Sequence, residues 1–100
     1  MRKIVWSDKA QKEFDRIYKY WVKHNQSDLY SEKLLDETLR IIKIVSENPE
    51  IGEKLKLKRF ANYRRGLVLE NFSVIYRSYE TKIVVSAFFD NRRDPEEMKL

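Results

Sequence analysis

The chain has no cysteine, a single histidine and no long apolar run, and each shortage removes a class of function. Without cysteine there is no disulfide framework and no thiolate metal site. His24 alone cannot assemble a zinc or iron centre, so metal-dependent chemistry would have to rest on carboxylates. No metal and no cofactor is expected. The amino-terminal stretch MRKIVWSDKAQ carries Arg2 and Lys3 ahead of Ile4, Val5 and Trp6, an apolar run too short for a secretion signal or a membrane span. The expectation is a cytoplasmic protein with no membrane partner.

What is present suits one folded unit over residues 1–100. A chain of this size buries about two-thirds of the surface it exposes when unfolded. Its 42% hydrophobic content with 13% aromatics keeps it out of the disordered class despite 37% charged residues. The net charge of +5 is unevenly spread. Residues 8–47 hold eight basic and eight acidic side chains, whereas residues 48–65 hold six basic against two acidic. The excess is therefore a patch: Lys54, Lys56, Lys58, Arg59, Arg64 and Arg65. Such a patch attracts a phosphate backbone or an acidic protein segment, and alternating Lys and Leu also keeps one face of an edge strand wet.

Local patterns predict the elements. KIVW, Lys3–Trp6, is β-branched and aromatic, and Ser7 behind it is a good helix cap. Ala10, Phe14, Ile17, Tyr18, Trp21 and Val22 recur along one helical face up to about His24. A second helix is predicted from about Asp28 to Glu47, with Leu34, Leu35, Leu39, Ile42 and Val45 inward, ended by Asn48-Pro49. The short link makes the two an antiparallel hairpin.

Three β-rich runs follow, RRGLVLE, FSVIYRSY and KIVVSAFF, at hairpin spacing around Glu70-Asn71 and Glu80-Thr81. Alternation sends Phe72, Val74 and Tyr76 to one face and Ser73, Ile75, Arg77 and Tyr79 to a mixed second face. In the last run Ile83, Val85, Ala87 and Phe89 oppose Val84 and Phe88, which suits a central strand. The fold class is α+β: an amino-terminal strand, a helical hairpin and a three-stranded antiparallel meander, joined in one curled sheet in the order β-α-α-β-β-β.

That order, the second helix ending in ENP, the YRRGLVLENFSVIYR hairpin and the closing FFDNRRDP resemble the RelE/ParE superfamily, the toxins of bacterial type II toxin–antitoxin pairs. The resemblance covers nearly the whole chain. It implies inhibition of growth until a cognate antitoxin, whose C-terminal part lies along the toxin, neutralises it in a hetero-oligomer. It also implies one of two targets: ParE-like members poison DNA gyrase, while RelE-like members cut messenger RNA on the ribosome.

Metal-independent cleavage through a 2′-hydroxyl needs a base, an acid and cations near the phosphate. Arg64, Arg65, Arg77, Arg92 and Arg93 supply cations and are expected to meet at one sheet edge. Arginine stays protonated and His24 is remote in the chain order, so Lys54, Lys56 and Lys58 are the remaining candidates for the base. Set against the RelE-like pattern, a lysine pair falls on Arg64 and Gly66, an arginine on Ser73, a last-strand arginine on Arg92 and a C-terminal tyrosine on Met98. Only Arg64 and Arg92 keep a cation there. A ParE-like toxin needs neither acid nor base, so gyrase poisoning is the favoured reading and RNA cleavage the alternative. A stand-alone RNA-binding domain is disfavoured, because both helices precede the meander.

Arg92 leads the candidates for target binding, with Arg64, Arg65, Arg77 and Arg93. The alternative for Arg92-Arg93 is a polar stop after a buried strand, with Arg93 paired to Asp94 or Glu96 and Pro95 starting a last turn. Tyr18, Trp21 and Tyr30, placed near the open end of the helical hairpin, are the candidates for antitoxin contact, with Trp21 in the core as the alternative.

Overall fold

The computed structural model describes residues 1–100. Strand β1 (Lys3–Trp6) leads into helix α1 (Asp8–Asn25) and helix α2 (Leu29–Glu47). Strands β2 (Glu53–Lys54), β3 (Arg64–Val68), β4 (Phe72–Ser78) and β5 (Lys82–Asp90) follow, with short 3-10 turns at Lys58–Phe60 and Pro95–Glu97. The strands form one sheet in the order β1-β5-β4-β3-β2. No helix is long and apolar enough to cross a membrane.

The expected order holds with two differences. β1 joins the sheet parallel to β5, so the sheet is mixed and not wholly antiparallel. The Lys/Leu-rich segment adds a fifth strand, β2, which pairs Glu53 with Arg65 and Lys54 with Arg64. A two-residue strand carries no alternation to read.

Ser7 caps α1 by accepting from the Ala10 N–H at 3.1 Å. Ala10 and Phe14 from α1 and Leu34 and Ile42 from α2 pack on Val68, Phe72, Val74, Val85 and Phe88 as the main core. Leu39, expected inside, is 54% exposed, and Thr38 is buried instead with its hydroxyl donating to the Leu34 carbonyl at 2.7 Å. A threonine that satisfies its own hydroxyl within the helix can take a core position.

The second face of the sheet is also covered. Ile75, Ala87 and Phe89 pack there under Phe60 and Met98, with Leu55, Leu57, Tyr63 and Leu100 around them. The segment after β2 and the residues after β5 therefore build a second, smaller core where a mixed surface was expected.

A bulge decides which β5 residues reach which core. Ile75 pairs with Ala87 but Tyr76 pairs with Val85, which leaves Ser86 as the extra residue. Ile83 and Val85 face the helices before the bulge; Phe88 does so after it, while Ala87 and Phe89 turn to the second face. The strict alternation read from the sequence fails at this residue. β1 ends opposite Val85, and the Phe88 N–H beyond it points to the Glu13 carboxylate at 3.3 Å.

Neither glycine takes a left-handed backbone; Gln26 (φ 51°), Leu69 (φ 48°) and Glu70 (φ 63°) do. Gly52 serves close approach instead: a Cβ there would stand 2.3 Å from the Tyr76 hydroxyl and 2.8 Å from the Arg65 carbonyl. That hydroxyl accepts from the Gly52 N–H at 3.0 Å and donates to the Pro49 carbonyl at 2.8 Å, and burial pushes its pKa up. At the end of α1 the Gln26 N–H bonds the Lys23 carbonyl and the Ser27 N–H bonds the Val22 carbonyl, a helix stop that favours glycine.

Two opposite effects are predicted by urea unfolding. Gln26→Gly relieves the left-handed side chain and raises stability by about 1 kcal/mol. Gly52→Ala lowers it by about 2 kcal/mol, because backbone and a bonded hydroxyl must give way.

Candidate functional site

Asp90 ends β5 opposite Phe72, and the chain then turns over Asn91 into Arg92-Arg93. Asn91 fixes that turn: its N–H donates to the Asn71 carbonyl at 2.8 Å, its amide to the Glu70 carbonyl at 3.2 Å, and its carbonyl accepts the Ser73 hydroxyl at 2.6 Å. The two arginines then part. The Arg92 guanidinium lies 5.8 Å from the Phe72 ring and 6.0 Å from the Trp21 ring, on the helix side. That of Arg93 lies 5.4 Å from the Phe89 ring, on the second face, and pairs with Glu97 at 3.1 Å. The polar-stop expectation chose neighbours one or three residues on, whereas a pair four residues apart spans the Pro95–Glu97 turn.

Arg92 is held in place. Asp90 receives its Nε at 2.9 Å and an Nη at 2.8 Å, a two-pronged pair, and these bonds hold the Asp90 carboxyl below the usual carboxylate range. Around the pair lies a pocket lined by Arg16, Ile17, Tyr20, Trp21, Phe72 and Asp90. Trp21 meets Tyr20 at 5.1 Å, His24 at 5.3 Å and Tyr30 at 5.3 Å between ring centroids. The guanidinium is thus fixed between a buried ring, Phe72, and a partly exposed one, Trp21, and as an arginine it stays protonated.

The five arginines expected to meet do not share one site. Arg64 donates to the Glu50 and Gly52 carbonyls at 3.1 and 2.8 Å and pins the link between α2 and β2. Register pairs Arg64 with Tyr76, four residues along β4 from Phe72, where Arg92 sits. Arg65 pairs with Ile75 and faces the second core, with Glu53 at 3.9 Å. Arg77, also on the second face, lies between Tyr63 and Tyr79 at 5.9 and 5.2 Å from their rings. Lys54, Lys56 and Lys58 are exposed along β2 and the segment after it.

Trp21 and Tyr30 lie at the turn of the hairpin and not at its open end, and Trp21 is partly exposed outside the core. The Tyr18 hydroxyl is engaged with Glu32 at 2.8 Å, a bond that raises its pKa. His24 and Arg92, remote in chain order, both border Trp21. Arg16, Tyr20 and Asp90 escaped the sequence reading. Two signals for them were there: Asp90 stands two before Arg92, and Arg16 and Tyr20 are one helical turn apart.

Residues 4–95 match the family described as ParE toxin of type II toxin-antitoxin system, parDE. No curated protein matches the chain in sequence. Among solved structures, it is similar to one titled "Chromosomal ParDE TA system from P. aeruginosa", at 17% identity and a TM-score of 0.72 over 90% of this chain and 96% of that one. It is also similar to the YoeB dimer from Staphylococcus aureus, at 18% identity and a TM-score of 0.62 over 86% and 92% of the two chains. At these identities the two structures establish the fold.

Asp90→Asn is predicted to cost less than about 1 kcal/mol at neutral pH, since Arg92 is largely exposed. The folded-state pKa of Asp90 is depressed, so its contribution is full above the ordinary aspartate range and is lost as the pH falls through the depressed value. Unfolding of both proteins between neutral and acid pH checks this: the gap between them closes on acidification.

Proposed function

The chain belongs to the ParE toxin family of type II toxin–antitoxin systems, and from that membership we propose that it arrests growth by binding DNA gyrase and not by cutting messenger RNA. The observation that carries this reading is the Arg92 platform, a cation anchored by Asp90 and bordered by Trp21, which suits recognition of a protein surface. Of the positions where a RelE-like nuclease would keep its groups, all but Arg92 serve packing or backbone bonds here. Gly66 has no side chain, and a Cβ on it would meet Ile41 at 2.7 Å. Ser73 is buried on Asn91, and Met98 fills the second core. Arg64 is spent on backbone carbonyls.

The partner that membership implies is a cognate antitoxin. Trp21 and Tyr30 are its proposed aromatic contacts, with Tyr18 behind them. Because Trp21 borders Arg92, an antitoxin seated there covers the platform and neutralises by occlusion.

Expression without antitoxin tests this reading. The wild type is expected to stop growth with DNA breaks and intact transcripts, and Arg92→Ala to restore plating at least about tenfold, the effect of losing about 1.4 kcal/mol of binding. Transcript cleavage that disappears in the variant would make the chain a RelE-like nuclease instead.

A further inference from the structure

Charge is balanced over residues 8–47 as a count, yet its placement on α1 is one-sided. Lys12, Arg16, Lys19 and Lys23 follow one another at spacings of four, three and four residues. At 3.6 residues per turn they fall within about 60° of arc and run about 16 Å along the helix. All four are exposed, and none forms an ion pair with the rest of the chain. The carboxylates of the same helix are engaged elsewhere. Glu13 holds the Lys9 ammonium at 3.1 Å and the Phe88 N–H at 3.3 Å, Asp15 takes the Gln11 amide at 3.2 Å, and Asp8 sits in the first turn, where the helix dipole favours an anion. The opposite face of α1 carries Ala10 and Phe14 into the core, so the stripe looks straight out to solvent.

We propose that this stripe seats the phosphate backbone of duplex DNA, so that on the gyrase reading above, on which this rests, the toxin engages the enzyme together with the DNA it holds. Four unpaired cations in a line match a rod that carries one charge per about 1.7 Å of its axis and asks for no apolar contact. A protein partner is a poorer fit. The centre of such an interface is depleted of charge and built on apolar and aromatic anchors, and the arc from Lys12 to Lys23 holds none. An anionic membrane is also a poorer fit, because an interfacial helix inserts its apolar face, and that of α1 is in the core.

Arg16 joins the stripe to the platform, since it lines the same pocket as Tyr20, Trp21 and Arg92. A protein surface on the platform and a phosphate strand along the stripe can thus be held by adjacent sides of α1 at once, and each raises the effective concentration of the other. The basic patch at Lys54 and Lys56 takes no part in this. It lies on β2 and the segment after it, and β2 stands three strands from β5, against which α1 packs.

The test is fluorescence anisotropy of the purified full chain with a short labelled DNA duplex, between about 50 and 200 mM salt. Neutralising four phosphates predicts a slope of about −3.6 in log K against log salt, a loss of affinity of about 150-fold over that range. Lys12→Gln/Lys19→Gln is expected to make the slope shallower by about two and to weaken binding at the lower salt at least about tenfold. Lys54→Gln/Lys56→Gln removes the same two charges from the total of +5 and is expected to leave the slope within about half a unit of the wild type. Glutamine suits a helix about as well as lysine, and unchanged thermal unfolding of each variant certifies the fold. The proposal is overturned if the duplex does not bind at the lower salt, if the two variants lose slope alike, or if a single-stranded RNA or an acidic peptide of equal charge binds more tightly. Gyrase takes no part in the measurement, so failure here leaves the gyrase reading standing, and failure of that reading shows in the growth experiment instead.

Discussion

β5 is apolar on both faces, and covering both with so short a chain is the constraint from which the rest of the structure follows. The helical hairpin covers one face through Phe14, Leu34 and Ile42. The other falls to what remains: the link between β2 and β3, which supplies Phe60, and the residues after β5, which supply Met98. The pockets beside β5 lie where one of these covers meets the strand. The platform forms where α1 ends against the end of β5, and a cleft bordered by Leu55, Leu57 and Met98 runs on the second face where the link meets the C-terminal segment above a buried Phe89.

Much of this was legible in the sequence because it is local. Ser7 before a three-and-four apolar repeat announces α1, and Asn48-Pro49 closes α2, since both signals act within a helical turn. The meander was equally plain. What could not be read depends on partners distant in the chain. The bulge at Ser86 arises where β1 stops and Glu13 takes over the edge of β5, and nothing in KIVVSAFF marks it. Once it is missed, Ala87 and Phe89 fall on the wrong face, and the arginines that follow are aimed at one site. Leu39 failed for a milder reason: α2 has more apolar residues than its buried stripe can hold, and the stripe took Thr38.

The arginines divide by occupation, a property invisible in a count of charges. Arg64 is committed to the Glu50 and Gly52 carbonyls, and with Tyr76 it holds the passage from α2 to β2. Arg59 reaches across to Glu96 at 3.3 Å and ties the link to the C-terminal segment. Arg92 is also bonded, but to a carboxylate that leaves much of it facing solvent, so its bond is one of aim. Lys54 and Lys56 have no such commitments.

The bulge has a further consequence for how such a protein changes over generations. Past Ser86, consecutive positions alternate between the two faces of the sheet: Asp90 and Arg92 belong to the helix side, Phe89, Asn91 and Arg93 to the other. Substitutions on opposite faces that share no partner act close to independently. A lineage can therefore alter Phe89 with little effect on Arg92, whereas a change at Asn91 disturbs both faces at once. The end of one strand thus carries two faces whose side chains can diverge one residue at a time, with the turn at Asn91 as the position they hold in common.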